Sequence, residues 1–345
     1  MLKNSAGQIQ RSEQQGFALV ITLWVMAILG VMAASFSYEA LCETKVESWN
    51  SQDSRAYNLA RGGIHMAAGI IRKHARDPVH SITDTWFSGD SLYKDVQLES
   101  GYYSIIRPVS EDSKDTKQDN GFGSQHKSNK PEQQYGLVDE ESRLNINVAS
   151  MDQLQGFPNV SNVLASNIIL YRTDKQNKDP KAAPLSVATA KGLVNGPIRT
   201  VDELLQVKGM TREILYGSSD GKDGHGGLAQ HLTCFSSGKV NINTAGKEVL
   251  HAVGFTTKQV QALLAYRLTG WKGFATVDAA LSVLGAAGQK SQVSKVLGVQ
   301  SKNFSMTCLA GFAPGKPVER ISARVSVGKD QLRFTRWESE SLPRI

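Results

Sequence analysis

Three rhythms of apolar and polar positions run along this chain, and each predicts a different element. Residues 1–16 are polar, with Lys3 and Arg11 opposed by Glu13, and residues 17–36 then read FALVITLWVMAILGVMAASF without one charged side chain. As a helix rising about 1.5 Å per residue, that run matches the roughly 30 Å hydrocarbon core of a bilayer. Thr22 and Ser35 can each return a hydroxyl to a helix carbonyl, so neither opposes insertion strongly. Beyond Phe36 no proline intervenes before Pro78, and Ala56, Ala60, Gly63, Ala67 and Ile71 recur at helical spacing. Leu41, Trp49, Leu59 and Ile64 add bulk, while Glu, Lys and Arg take other positions. The pattern predicts one helix of about 55–60 residues, apolar all round over 17–36 and amphipathic over 37–76. Gly62-Gly63 should weaken it locally and admit a close neighbour.

Residues 77–144 are mixed. GYYSIIRPVS, residues 101–110, is β-branched and aromatic enough for a strand, and the polar, Gly- and Lys-rich stretch 110–134 reads as a disordered loop. YGLVDEESRLNIN resumes as a strand that turns into a loop, and there an internal repeat begins. SRLNINVASMDQL (142–154) and GKVNINTAGKEVL (238–250) share an apolar-Asn-Ile-Asn start followed by an amphipathic helix. Ser150 and Thr244 are expected as helix N-caps, with Asn147 and Asn243 shaping the entry through Asx-type bonds. Each copy continues into a helix ending in Tyr-Arg (Arg172, Arg267) and then a segment in which Thr200 or Thr276 caps a third helix. The expectation is two small all-helical modules, 145–236 and 237–300. Arg172 and Arg267 read as module-packing or surface residues.

From residue 301 to 345 the rhythm turns to two. FSMTCLAGF and RISARVSVGKDQLRFTRWESE alternate, with Gly328-Lys329-Asp330 placed as a hairpin turn. These strands should complete the sheet begun at 101–110. The fold class is therefore α+β: a long N-terminal helix packed on a small antiparallel β-sheet, with a large all-helical insertion.

Composition narrows the chemistry. The chain has 345 residues and a net charge of +7, but its basic residues are spread among acids, which describes a solvated surface rather than a nucleic-acid track. Three cysteines are too few for a disulfide scaffold. In an oxidising compartment a Cys234–Cys308 bridge would tie the end of the first module to the sheet, provided their Cα atoms lie within about 7 Å. The seven histidines fall at unrelated positions, and no nucleophile elbow or phosphate loop occurs, so nothing points to an enzyme. SSDGKDGHGG, residues 218–227, holds Asp220 and Asp223 in the manner of an oxygen-rich calcium loop, yet fails the EF-hand pattern and reads better as an ordinary surface loop.

The amino terminus admits three readings: a signal anchor, a secretory signal cleaved after Val31-Met32-Ala33, or a prepilin-type leader cut between Gly16 and Phe17. The Gly-Phe junction at the polar–apolar boundary, and a helix that does not stop at the membrane, favour the third. The basic leader predicts a cytoplasmic N-terminus, with everything after Tyr38 exported.

QQGFALVITLWVMAILGVMAASF followed by AYNLARGGIHMAAGII resembles the general secretion pathway protein K family, the large minor pseudopilins of bacterial type II secretion systems. Most pilins place a glutamate fifth in the mature chain, to pair with a neighbour's terminal amine; that position here is Ile21. A buried, unpaired carboxylate is costly, so its absence fits a subunit with no subunit above it. The resemblance implies cleavage by prepilin peptidase after Gly16, N-methylation of Phe17, a single pass through the inner membrane with a periplasmic head, and other minor pseudopilins as partners. It further implies a pilin-like fold with two sterile-alpha-motif-like modules, a place at the pseudopilus tip, help in starting its assembly, and no required cofactor. The family includes calcium-bound members, so calcium stays open without residues assigned. The modules are also similar to the helix-hairpin-helix DNA-binding modules of competence proteins, but the hairpins GFPNVSN (156–162) and AVGFTTK (252–258) lack the paired glycines that let a backbone approach phosphate. No nucleic-acid partner is expected.

Overall fold

The computed structural model describes residues 6–108, 134–173, 196–217, 227–268, 273–285, 288, 293–328 and 331–343, with the backbone alone for 6–16 and 268. The chain divides into two units, Met1–Arg55 and Ala56–Ile345. Helix α1, Ala6–His74, passes from the first into the second. It takes in part of the polar leader, because nothing between Ala6 and Gly16 breaks a helix.

In the second unit the stripe of small residues on α1 is the buried one. Ala56, Ala60, Ala67 and Ile71 are all buried, together with Leu59 and Ile64. They cover one face of an antiparallel sheet. After α2 (Asp90–Tyr93) come β1 (Val96–Leu98), β2 (Gly101–Arg107), β3 (Gln134–Tyr135) and β4 (Val138–Asp139). The expected strand 101–110 thus ends at Arg107, before Pro108, which has no N–H to continue the ladder. The expected disordered loop lies outside the described residues apart from Gln134.

The next elements are β5 (Leu144–Asn145), α3 (Met151–Gln155), α4 (Asn162–Arg172), α5 (Arg212–Tyr216), β6 (Leu232–Thr233), β7 (Val240–Asn241), α6 (Lys247–Val253), α7 (Thr257–Leu268), α8 (Val277–Val283) and β8 (Leu297–Gly298). The chain then returns to the sheet as β9 (Asn303–Gly311), β10 (Glu319–Val327) and β11 (Leu332–Ser341). The strand order is β1-β2-β9-β10-β11, with β3 on β2 and β4 on β9. Val327 pairs with Leu332 across the last hairpin, of which Lys329 and Asp330 lie outside the described residues.

Alternation decides which strand residues meet α1. Phe304, Met306, Cys308 and Ala310 of β9 face the core with Ile321, Ala323 and Val325 of β10 and Tyr103 and Ile105 of β2. Gly63 lets the helix sit close: a Cβ there would lie 2.7 Å from both Cys308 Sγ and the Tyr103 ring. The core also takes in Trp86, fully buried, whose ring meets Phe304 edge-on at 5.0 Å and whose Nε1 donates to Asp84 Oδ2 at 3.0 Å.

The modules are not all-helical. Each opens and closes on a two-residue parallel ladder, β5 with β6 and β7 with β8. Their apolar residues, from Leu144 to Leu297, form one continuous cluster. Gly156 and Ala252, each eleven residues past the first Asn of its repeat, meet there: a Cβ on Gly156 would lie 2.6 Å from Ala252 Cα. Equivalent positions touching each other is what a local two-fold between repeat copies produces.

Candidate functional site

Helix α1 within the first unit is a surface without a core. Phe17, Trp24, Met26, Val31 and Phe36 are each at least two-thirds exposed, and an 18-residue window has a mean hydropathy of 2.5. It is long and apolar enough to cross a membrane. Thr22 Oγ1 donates to Leu19 O at 2.8 Å; the bond expected of Ser35 is made instead by Ser37, to Ala33 O at 2.9 Å. Gly16 and Phe17, the expected processing pair, lie within the helix, and the Phe17 ring is exposed. Ile21 is exposed as well.

The repeated motifs of the modules turn out to be clamps. Arg172 donates to Ile146 O and Ala149 O, and Arg267 to Ile242 O and Ala245 O, which are the equivalent carbonyls of the second copy. Burial lowers the pKa of the Arg172 guanidinium. Asn147 exchanges two hydrogen bonds with the backbone of Ile198, at 2.9 and 2.8 Å; Asn243 does the same with Phe274, at 3.1 and 2.8 Å. The Asx bonds themselves come from Asn145 and Asn241, which accept from the N–H two residues on. Ser150, Thr200 and Thr276 stand at N-cap positions as expected, but Thr244 does not: Gly246 precedes α6.

Thr244 instead points into a feature that the sequence pattern does not announce. Asp139, Glu140 and Glu141, consecutive on β4 and the turn after it, are all buried where the sheet meets the modules. Asp139 Oδ2 accepts from Thr244 Oγ1 at 2.5 Å and Ser301 Oγ at 2.6 Å, and its Oδ1 accepts from the Glu141 N–H at 2.9 Å. Glu140 accepts hydroxyls from Thr233 on β6 and Ser305 on β9, with Arg143 Nη1 at 3.8 Å. Glu141 accepts from the Ser237 N–H at 3.1 Å and from Asn303 N and Nδ2 at 3.0 and 2.8 Å. Burial, and then the charge of Glu141, push Asp139 up to about 7; burial also raises Glu141. Asn241 adds a bond to Ser301 Oγ at 2.8 Å and another to His80 O at 3.1 Å. One short acidic stretch therefore ties the sheet to both modules, and Asn241 and Ser301 carry the network on to His80 after α1. In sequence, YGLVDEESRLNIN reads as a strand that turns into a loop, which gives no sign that its three acids are buried.

The Cys234–Cys308 bridge is not formed. Both thiols are free, because Cys308 packs under α1 in the sheet core whereas Cys234 packs against the module cluster. Asp220 and Asp223, of the calcium-loop reading, lie outside the described residues. Among the described residues no group of three His, Cys, Asp or Glu is arranged to hold a metal ion.

Residues 240–300, the β7–β8 module, match the family described as type II secretion system (T2SS), protein K. A chain in the crystal structure of the GspK-GspI-GspJ complex from the enterotoxigenic Escherichia coli type 2 secretion system shares the fold. It superposes with a TM-score of 0.54 at 14% identity, over 86% of this chain and 99% of that one. No curated protein matches. The two findings bear out the resemblance to the protein K family read from the sequence.

Proposed function

We infer that this chain, of the type II secretion protein K family that its residues 240–300 match, works as a minor pseudopilin. The observation that carries this reading is the join within α1. An exposed apolar segment suited to lipid or to other helices runs on into a segment whose small-residue face is buried on an antiparallel sheet. Residues 17–36 hold the subunit in the inner membrane, N-terminus inward, and later pack among the helices of other minor pseudopilins, through van der Waals contact and small residues. Prepilin peptidase removes residues 1–16, and the new amine on Phe17 is methylated. The helical modules, sterile-alpha-motif-like in plan, widen the head so that no further subunit stacks above it. With Ile21 in place of the usual acid, that fits a subunit at the pseudopilus tip that starts assembly. It acts as a building block and not as a catalyst, with calcium as an optional ligand. The DNA-binding alternative gains nothing from the repeated arginines, since both are committed to carbonyls of their own modules.

The test is mass spectrometry of the mature amino terminus from native membranes. N-methylated Phe17 is the expected result. A chain starting at Ala34, or an intact Met1, would overturn the pseudopilin reading.

A further inference from the structure

The seam between the sheet and the helical modules is held by acids rather than by apolar side chains, and its hydrogen-bond partners differ in one decisive respect. Glu141 accepts from N–H groups, of Ser237, Lys302 and Asn303, which cannot turn round. Asp139 Oδ2 accepts from two hydroxyls, Thr244 and Ser301, which can rotate and become acceptors, and at 3.5 Å from Asn241 Nδ2, while its Oδ1 takes the Glu141 N–H. A proton therefore finds partners on Asp139 and none on Glu141. Glu140 also meets hydroxyls, and Arg143 Nη1 lies 3.8 Å from it. His80 reaches the seam through Nδ1, which accepts the Ser301 N–H, and its Nε2 donates to His74 O. Other titratable groups near the seam are the free thiol of Cys234, with Asp202 and Glu203 acting on it, Lys302 between Ser301 and Asn303, and Arg324 of β10, which lies over the Phe235 ring at 5.8 Å.

We propose that Asp139 is a proton-operated latch: protonated, it joins the modules to the sheet through Thr244 and Ser301, and ionised, it sets a second buried carboxylate charge beside Glu141 and loosens that seam. The proposal is independent of the assembly role. Burial and Glu141 hold the Asp139 carboxyl well above its ordinary range, near 7. A carboxyl whose pKa is higher in the closed than in the open state binds its proton more tightly when closed. Closure is therefore favoured at low pH and lost as pH rises through about 7, the reverse of a salt-bridged acid.

Amide hydrogen exchange on the detergent-solubilised full chain, corrected for intrinsic rates, tests this between about pH 5 and about pH 8. The Ser237, Ile242 and Asn303 amides should lose protection by roughly tenfold or more, while those of Ala323 and Val325 in the sheet stay level. Asp139→Asn should flatten the dependence. Thr244→Val, which removes a donor to the ionised form, should move the midpoint to higher pH. Protection that ignores pH, seam and sheet falling together, or an unmoved dependence in Asp139→Asn would overturn the latch. If Asp139→Asn does not fold, an unmoved midpoint in Thr244→Val does so.

Discussion

Arg172 and Arg267 make the same pair of bonds at two depths: Arg267 is 7% exposed, and Arg172 is half-buried. Removing either guanidinium frees two carbonyls, but water reaches those beneath Arg172 more readily. Arg267→Met should therefore cost about 3 kcal/mol and Arg172→Met about 1 kcal/mol, read from denaturant midpoints at unchanged m-value. Equal losses would mean that depth does not set the cost. The Tyr-Arg repetition was legible in the sequence, and so was a packing role. The acceptors were not, because they are backbone groups more than twenty residues earlier that become neighbours only when the Asn-Ile-Asn turn closes. The same limit explains Thr244. Its sequence context matches a helix cap, yet Asp139, 105 residues away, takes its hydroxyl.

At the scale of elements, two glycines on α1 separate what a helix wants from what its packing allows. A Cβ added at Gly69 would meet nothing within 4 Å, whereas one at Gly63 would lie 2.7 Å from Cys308 and from Tyr103. Alanine should improve the helix itself by about 0.5–1 kcal/mol at either place. At Gly69 that gain stands alone, so Gly69→Ala should raise the melting temperature slightly. At Gly63 the methyl must push into a filled core at a cost of about 1–3 kcal/mol, so Gly63→Ala should lower it. A rise in both would show that the sheet gives way beneath the helix. The helix and the late strands were readable because a period of 3.6 or of two persists over many residues. The span 77–100 was not: it has no period, and Trp86 is fixed there by ring contacts with His80, Phe87 and Phe304, and Tyr93 by the carbonyls of Thr85 and Trp86. The burial of VDEES was not readable for a related reason, since Ser237, Ser301, Asn303 and others that cover its three acids lie far along the chain.

For the whole molecule, two separate apolar clusters, one under α1 and one through the modules, each keep a thiol of their own. A bridge between Cys234 and Cys308 would have to cross from one cluster to the other, across the seam that the acids hold. Burial also works against oxidation, pushing the Cys234 thiol up to about 12 and that of Cys308 further still. The thiolate is the reactive form, so at neutral pH both are nearly inert, whereas Cys42 is exposed. The detergent-solubilised chain should therefore take one alkylating label quickly when native and three once unfolded without reductant. Adding reductant should leave its melting temperature unchanged, since no loop is closed covalently. One label after unfolding would show that Cys234 and Cys308 are bonded, and the two cores would then be stapled together. Three labels would leave hydrogen bonds to Asp139, Glu140 and Glu141 as the principal polar ties across the seam, and a seam held by protonatable groups is one that pH can open without breaking either core.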